Sequence, residues 1–285
     1  MKIIKSDANS ATVALSGSFS VKKTFDCGQA FRFDPIGGDG NHFGGIAFGR
    51  KVEFIQNGNE LTIIGASADD YNAIWKHYLA LDEDYAEIDK MILDAMPNEQ
   101  DRGIMSRAVA CGSGIRILRQ DPFECLISFI VSQNNNIPRI KKIISALCDH
   151  FGENGAFPTA EVLCNAGEDA IFALRTGFRA GYIYDAAKKV LSGDVDLGFV
   201  QSCPDYDRCT EELCKIKGVG PKVSSCVLLI GFGKTEAFPI DVWMKRSLER
   251  HFPGGFDHTK LGRSAGIAQQ YLFYYERYIA DKNSI

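Results

Sequence analysis

Two residues in the C-terminal half have the types and setting for covalent chemistry. Lys222 stands in 216-IKGVGPKVSSCVLLIGFG-233, after a glycine-bounded turn and a proline. Gly218 and Gly220 let the backbone turn sharply, and Pro221 fits the first position of a following helix. The unpaired N–H groups of such a helix start form an anion site suited to a phosphate. A lysine at the positive end of the helix dipole is expected to hold its proton less tightly, and a lysine amine so perturbed is a usable nucleophile near neutral pH. The plainer reading of Lys222 is a cation that contacts phosphate. Downstream, 237-AFPIDVWMKRSLERHF-252 places Asp241 ahead of a helical pattern, where aspartate is a common N-cap. A carboxylate that shares a cleft with an amine can also stabilise a cationic transition state or relay protons.

The elements that must position this pair come from the pattern of the whole chain. LCKIKGVGPKV reads as helix, tight turn, helix near 210–232. That is a helix-hairpin-helix, which holds DNA by backbone phosphates without reading sequence, with Gly218, Gly220 and Val223 at the phosphate. Before about Ser67 the chain reads as short strands, FDCGQAFRFD, HFGGIAF, KVEFIQN and ELTIIGAS, separated by turn signals such as 35-PIGGDGN-41 and Asn57-Gly58. From ADDYNAIWKHYLAL onward helical spacing dominates. Asp121-Pro122 is a helix start, Gly152 and Gly193 are helix ends, and GRSAGIAQQYLFYYERYIADK is the last long helical pattern. The expected class is α+β: an N-terminal antiparallel β-sheet domain over 1–80, then a mainly helical region over 81–285.

Composition bounds the function. The 285 residues are 45% hydrophobic and 24% charged, as in an ordinary globular protein, and no apolar run has the length of a membrane span. MKIIKSDANS lacks the apolar core of a signal peptide. Nine cysteines are scattered, with no Cys-x-x-Cys pair, which points to reduced thiols and no metal site. No cofactor is called for. The net charge of −4 argues only weakly against a nucleic-acid partner, because phosphate contacts need a local basic patch. Lys234, Lys245, Arg246, Arg250, Lys260 and Arg263 could supply steering charge, or could be scattered solvated residues.

GVGPKVSSC followed by FPIDVW resembles the catalytic signature of the helix-hairpin-helix, Gly/Pro–Asp DNA glycosylase superfamily, in the lysine-bearing form of its bifunctional members. FDCGQAFRF, LRQDPFECLISFIVSQNNNIPRI, LCKIKGVGPKVSSCVLLIGF, FPIDVWM and AGIAQQYLF extend the likeness, in order, to the 8-oxoguanine DNA glycosylase/AP lyase family along nearly the whole chain. The resemblance implies that Lys222 is the nucleophile and Asp241 the group that stabilises positive charge on the sugar. It implies a lesion pocket of Gly28, Cys226, Gln269 and Phe273, the Gly28 carbonyl accepting the N7–H that only the oxidised purine carries. It also implies that Asn134 fills the hole left by the flipped base, that Arg139 and Arg179 contact the orphaned cytosine, and that Phe178 is the wedge beside it. Without the resemblance, Cys226 and Phe273 read as core residues.

The expected partner is double-stranded DNA containing 8-oxoguanine, bound by a monomer away from any membrane. The place would be the cytoplasm, nucleoid-associated, in a prokaryote, or the nucleus in a eukaryote. Three positions depart from the family pattern: Phe178 in place of a tyrosine, Trp243 in place of a histidine, and Glu276 in place of an aspartate. They leave one polar contact or pocket lining open. The alternatives are a monofunctional glycosylase for another damaged purine, such as an alkylated base, and a non-catalytic helix-hairpin-helix DNA-binding protein. The first works without the hairpin lysine, and the second needs neither Lys222 nor Asp241. Members specific for adenine or thymine glycol carry a cysteine cluster after the aspartate, and no cysteine follows Cys226.

Overall fold

The computed structural model describes residues 2–282. Six antiparallel strands form one sheet: β1 (Lys2–Ser6), β2 (Ser10–Ala14), β3 (Phe33–Pro35), β4 (His42–Ala47), β5 (Arg50–Asn57) and β6 (Glu60–Ile64), in the order β1-β2-β6-β5-β4-β3. Alternate residues enter its core, with Ala11 and Val13 on β2, Val52 and Phe54 on β5, and Leu61 and Ile63 on β6. The register sets Phe54 opposite both Phe43 and Ile63. Helix α1 (Val21–Asp26) and α2, which runs through Ala68–Asp70, Tyr71–Trp75 and Lys76–Tyr78 with a π-helical middle, cover that face.

One sequence expectation fails here. FDCGQAFRFD does not run as a strand: Phe25 and Asp26 close α1, residues 27–32 form an irregular turn, and only Phe33–Pro35 pairs with β4. Ser20 caps α1 by accepting from Lys23 N at 3.2 Å. Phe25 then packs within 4.5 Å of the Phe33 ring and 5.2 Å of the Phe54 ring, centroid to centroid. This aromatic packing outweighs the local β propensity of the run.

The remaining α-helices among the described residues are α3 (Tyr85–Asp94), α4 (Glu99–Gly112), α5 (Pro122–Ser132), α6 (Ile137–Phe151), α7 (Ala160–Ile171), α8 (Arg179–Ser192), α9 (Leu197–Ser202), α10 (Tyr206–Cys214), α11 (Pro221–Gly231), α12 (Val242–His251) and α13 (Ala265–Lys282). They enclose a second core. Helix α5 is its centre, buried from Glu124 through Val131 and started as expected by Asp121, which accepts from Glu124 N at 2.8 Å. Gly152 and Gly193 close α6 and α8.

A polar seam joins the two cores. Gln29, 1% exposed, donates from Nε2 to the Arg116 carbonyl at 2.7 Å and accepts at Oε1 from Leu118 N at 2.9 Å. Arg116 donates to the Ser18 carbonyl and lies 3.9 Å over the Tyr85 ring. Cys27 and Phe31 therefore pack in the helical core although they lie in the sheet domain.

Helices α4 and α13 also pack closely. A Cβ at Gly112 would lie 2.3 Å from the Tyr271 ring. Gly112→Ala is expected to destabilise the protein by about 1–3 kcal/mol through overpacking, read as a lowered midpoint in urea denaturation, while Ser113→Ala beside it leaves the midpoint nearly unchanged.

Candidate active site

The site is built on two helix starts. Helices α10 and α11 form the hairpin expected from the sequence. The turn needs glycine at 218, where φ is +81° and a Cβ would lie 2.3 Å from the Tyr182 ring. Gly220 is the N-cap of α11 with no side chain capping it, and Pro221 follows. The N–H groups of Lys222 and Val223 thus have no helical partner and remain available to a phosphate. The second start is α12. Asp241 caps it, Oδ1 accepting from Met244 N at 2.7 Å, and Oδ2 takes no bond from the described residues. The cap therefore uses one carboxylate oxygen and leaves the other for chemistry.

These starts border two spaces. A small cavity of ≈ 80 Å³ is lined by Gly28, Lys222, Cys226, Asp241, Gln269 and Phe273, with Phe129 and Pro239 among the other walls. An open cleft of ≈ 860 Å³ is lined by Asn134, Gly218, Gly220, Val223, Trp243 and Lys245, among others. Lys222 and Asp241 line both. A group bound along the cleft can therefore place one unit in the cavity with the amine and the carboxylate at its mouth. All four residues expected at the lesion pocket meet here, although they come from the sheet domain, α11 and α13.

Electrostatics ties the three central groups together. Burial pushes the Cys226 thiol up, the Lys222 ammonium and a hydrogen bond from it oppose this, and the Asp241 carboxylate adds to the rise. The net upward direction keeps the thiol protonated. Cys226 is thus a wall of the cavity and not a competing nucleophile. Lys222 Nζ lies 5.8 Å from the centre of the Phe129 ring. Nothing in the local residue pattern singles out Phe129, because it sits inside an apolar helical run.

On the far side of the cleft, Asn134 is exposed with φ +47°, and Arg139 is exposed in the first turn of α6. Phe178 is 55% exposed, with the Tyr182 ring edge-on at 5.8 Å and the Arg179 guanidinium 4.4 Å over it. Arg179, the second residue expected at the orphaned cytosine, is held here by backbone carbonyls. It is buried, donating from Nε to the Gln133 carbonyl at 2.9 Å, from Nη2 to the Asn134 carbonyl at 2.9 Å and from Nη1 to the Thr176 carbonyl at 3.2 Å. In this conformation Arg179 fixes the Asn134 turn. Burial, and then the nearby Arg139 charge, push its guanidinium pKa down, so the two arginines are neighbours and Arg139 is the open one.

The departures resolve into two roles. Trp243, 56% exposed, lines the cleft with Ile240 and Val242. Glu276, 6% exposed, is bound instead to the far end of α12: it accepts from Ser247 Oγ at 3.2 Å and from Arg250, and lies 2.9 Å from His251 Nε2. It joins α12 to α13 and does not reach for position 243. The six basic residues considered for steering do not form one patch. Lys245 lines the cleft, whereas Lys234 donates to the Cys203 carbonyl, Arg250 pairs with Glu276 and Lys260 lies near Asp257.

Residues 12–126 match the 8-oxoguanine DNA glycosylase N-terminal domain, and residues 127–261 match the HhH-GPD superfamily of base excision DNA repair proteins. The hairpin, the lysine and the capping aspartate all lie in the second match, so the fold and the site define that class. The chain is 32% identical to a probable N-glycosylase/DNA lyase of Methanothermobacter thermautotrophicus over 61% of its own length and 67% of that protein. It is 39% identical to the N-glycosylase/DNA lyase of Saccharomyces cerevisiae over 49% of its own length, but spans only 42% of that relative. The structure of Clostridium acetobutylicum 8-oxoguanine glycosylase/lyase, in complex with double-stranded DNA containing cytosine opposite 8-oxoguanine, superposes with a TM-score of 0.86 at 35% identity, covering 100% of this chain and 99% of that one. The chain belongs to the 8-oxoguanine glycosylase/lyase family.

Asp241→Asn separates the cap from the chemistry. Asparagine caps about as well as aspartate, so the melting temperature is expected to hold. Strand incision on a lesion duplex is expected to fall about 100-fold or more with loss of the carboxylate, measured under single turnover.

Proposed function

We infer that this chain is a bifunctional DNA glycosylase that binds duplex DNA, flips 8-oxoguanine out from opposite cytosine, removes it and nicks the strand. The observation that carries this reading is the single cavity lined jointly by Lys222, Asp241, Gly28, Cys226, Gln269 and Phe273. The backbone binds along the cleft, with phosphate at the free N–H groups of α11. The target nucleotide leaves the stack, and its base enters the cavity between Cys226 and Phe273, with the Gln269 amide at its Watson–Crick edge.

The Gly28 carbonyl then discriminates. It accepts N7–H from 8-oxoguanine and meets a lone pair on guanine, leaving two acceptors facing each other. Lys222 Nζ attacks C1′, the C1′–N9 bond breaks, and the base departs with a proton. Asp241 stabilises the positive charge that develops on the sugar. Opening of the sugar ring gives a Schiff base between C1′ and Nζ. Removal of a C2′ proton breaks the C3′–O bond, nicking the strand 3′ to the lesion, and water releases the lysine. Arg139 contacts the orphaned cytosine, Asn134 occupies the vacated space, and Phe178 wedges beside it. Every group involved comes from one chain, which suits a monomer. A monofunctional or purely binding protein has no use for an amine at the mouth of the base cavity.

Borohydride reduction tests the Schiff base. With a duplex holding 8-oxoguanine opposite cytosine, a covalent protein–DNA adduct is expected on a denaturing gel. It should vanish with undamaged duplex and with Lys222→Gln. Base release by Lys222→Gln at the wild-type rate would overturn the mechanism and return Lys222 to phosphate binding.

A further inference from the structure

Four successive carbonyls at the end of α1 have an uneven pattern of partners. Asp26 O accepts from Arg277 Nη1 at 3.1 Å, Cys27 O accepts from Gln270 Nε2 at 3.1 Å, and Gln29 O accepts from Gln120 Nε2 at 2.7 Å. Gly28 O, between them, takes no hydrogen bond from the described residues. Gly28 has φ +86° and lines the small cavity. Gln29 is itself held by its side chain at Thr24 O, Arg116 O and Leu118 N, at 2.9, 2.7 and 2.9 Å. An amide plane is rigid, so bonds to the carbonyls on either side restrict rotation of the peptide between them.

We propose that Gln270 is a positioning residue for lesion discrimination: its bond to the Cys27 carbonyl, with that of Gln120 to the Gln29 carbonyl, fixes the Gly28 peptide and leaves its carbonyl as an open acceptor beside the base cavity. The proposal rests on the function inferred above. Gln270 follows Gln269 on α13 and lines the cavity with it, so one helix carries both the amide at the base edge and the amide that braces the Gly28 segment. Gln270 is 6% exposed, and its amide is directed to protein backbone 243 residues away in the chain. Loss of the brace leaves the chemistry of Lys222 intact but lets the Gly28 carbonyl turn from the N7–H. Reading of the oxidised base then weakens, and attack at an already abasic C1′ does not.

Gln270→Met and Gln120→Met each keep the side-chain length and remove the donor. The readout compares single-turnover base release from an 8-oxoguanine·cytosine duplex with strand cleavage at a pre-formed abasic site opposite cytosine, alongside thermal melting. Each variant is expected to lose base release about tenfold, the scale of one aligned hydrogen bond, with abasic-site cleavage within about twofold of wild type and rescue of base release in Gln270→Asn remaining partial. Unchanged base release, or a parallel fall in both activities, would overturn the positioning role. A wild-type protein that cleaves abasic sites but releases no 8-oxoguanine would overturn the substrate reading and the positioning role together. That case is distinguished because wild type and variants then behave alike.

Discussion

The whole site depends on the buried amide of Gln29. The base cavity has its apolar walls from the helical core, but Cys27 and Gly28 reach it from the sheet domain, so it forms where the two cores meet. Gln29 links them by giving and accepting hydrogen bonds across the seam to Arg116 and Leu118. A buried amide with unmatched groups is costly, so its bonds hold only in the register where the turn after α1 lies against residues 116–118. That register brings Gly28 to the cavity that Cys226 and Phe273 also line. An apolar contact, being non-directional, could not define it so sharply.

The second constraint is that two helices begin at the same place. Helix α11 starts without a side-chain cap, and α12 starts with Asp241 as its cap. Both positive dipole ends favour an anion in the cleft. The free N–H groups provide this without a large surface charge, which suits a chain with net charge −4. Several of the steering residues considered from the sequence are engaged in local bonds, so the cleft offers an anion chiefly backbone N–H groups and Lys245. Exposed Ile240, Val242 and Trp243 add an apolar rim next to the reacting pair, where the family pattern has a histidine at position 243.

Burial decides which nucleophile is available. Cys226 is 6% exposed and Lys222 sits one helical turn before it at the cavity mouth. Burial keeps the thiol neutral, leaving the amine as the group able to form a reversible covalent link to a sugar carbon. Glu276 supports this indirectly. It accepts from Ser247 and Arg250 near the end of α12, holding that helix, and so its Asp241 start, against the helix that carries Gln269 and Phe273.

The sequence by itself determined the chemistry and the order of parts. The hairpin glycines, Pro221, Lys222 and the capping Asp241 are local signals, each set by turn geometry or helix-end hydrogen bonding, and the structure keeps them where they were read. The strand alternation and the helix start at Asp121 were legible for the same reason. What only tertiary structure decided is non-local. Phe25 belongs to a helix because an aromatic cluster from three strands receives it. Arg179 is tied to the carbonyls around Asn134 because two distant helix ends meet there. Glu276 braces α12 because its neighbours on that helix face it. The open carbonyl of Gly28 is defined by donors from α13 and the segment before α5. These contacts form only when segments apart in the chain pack together, and those around Gly28 form only when the two cores close on each other.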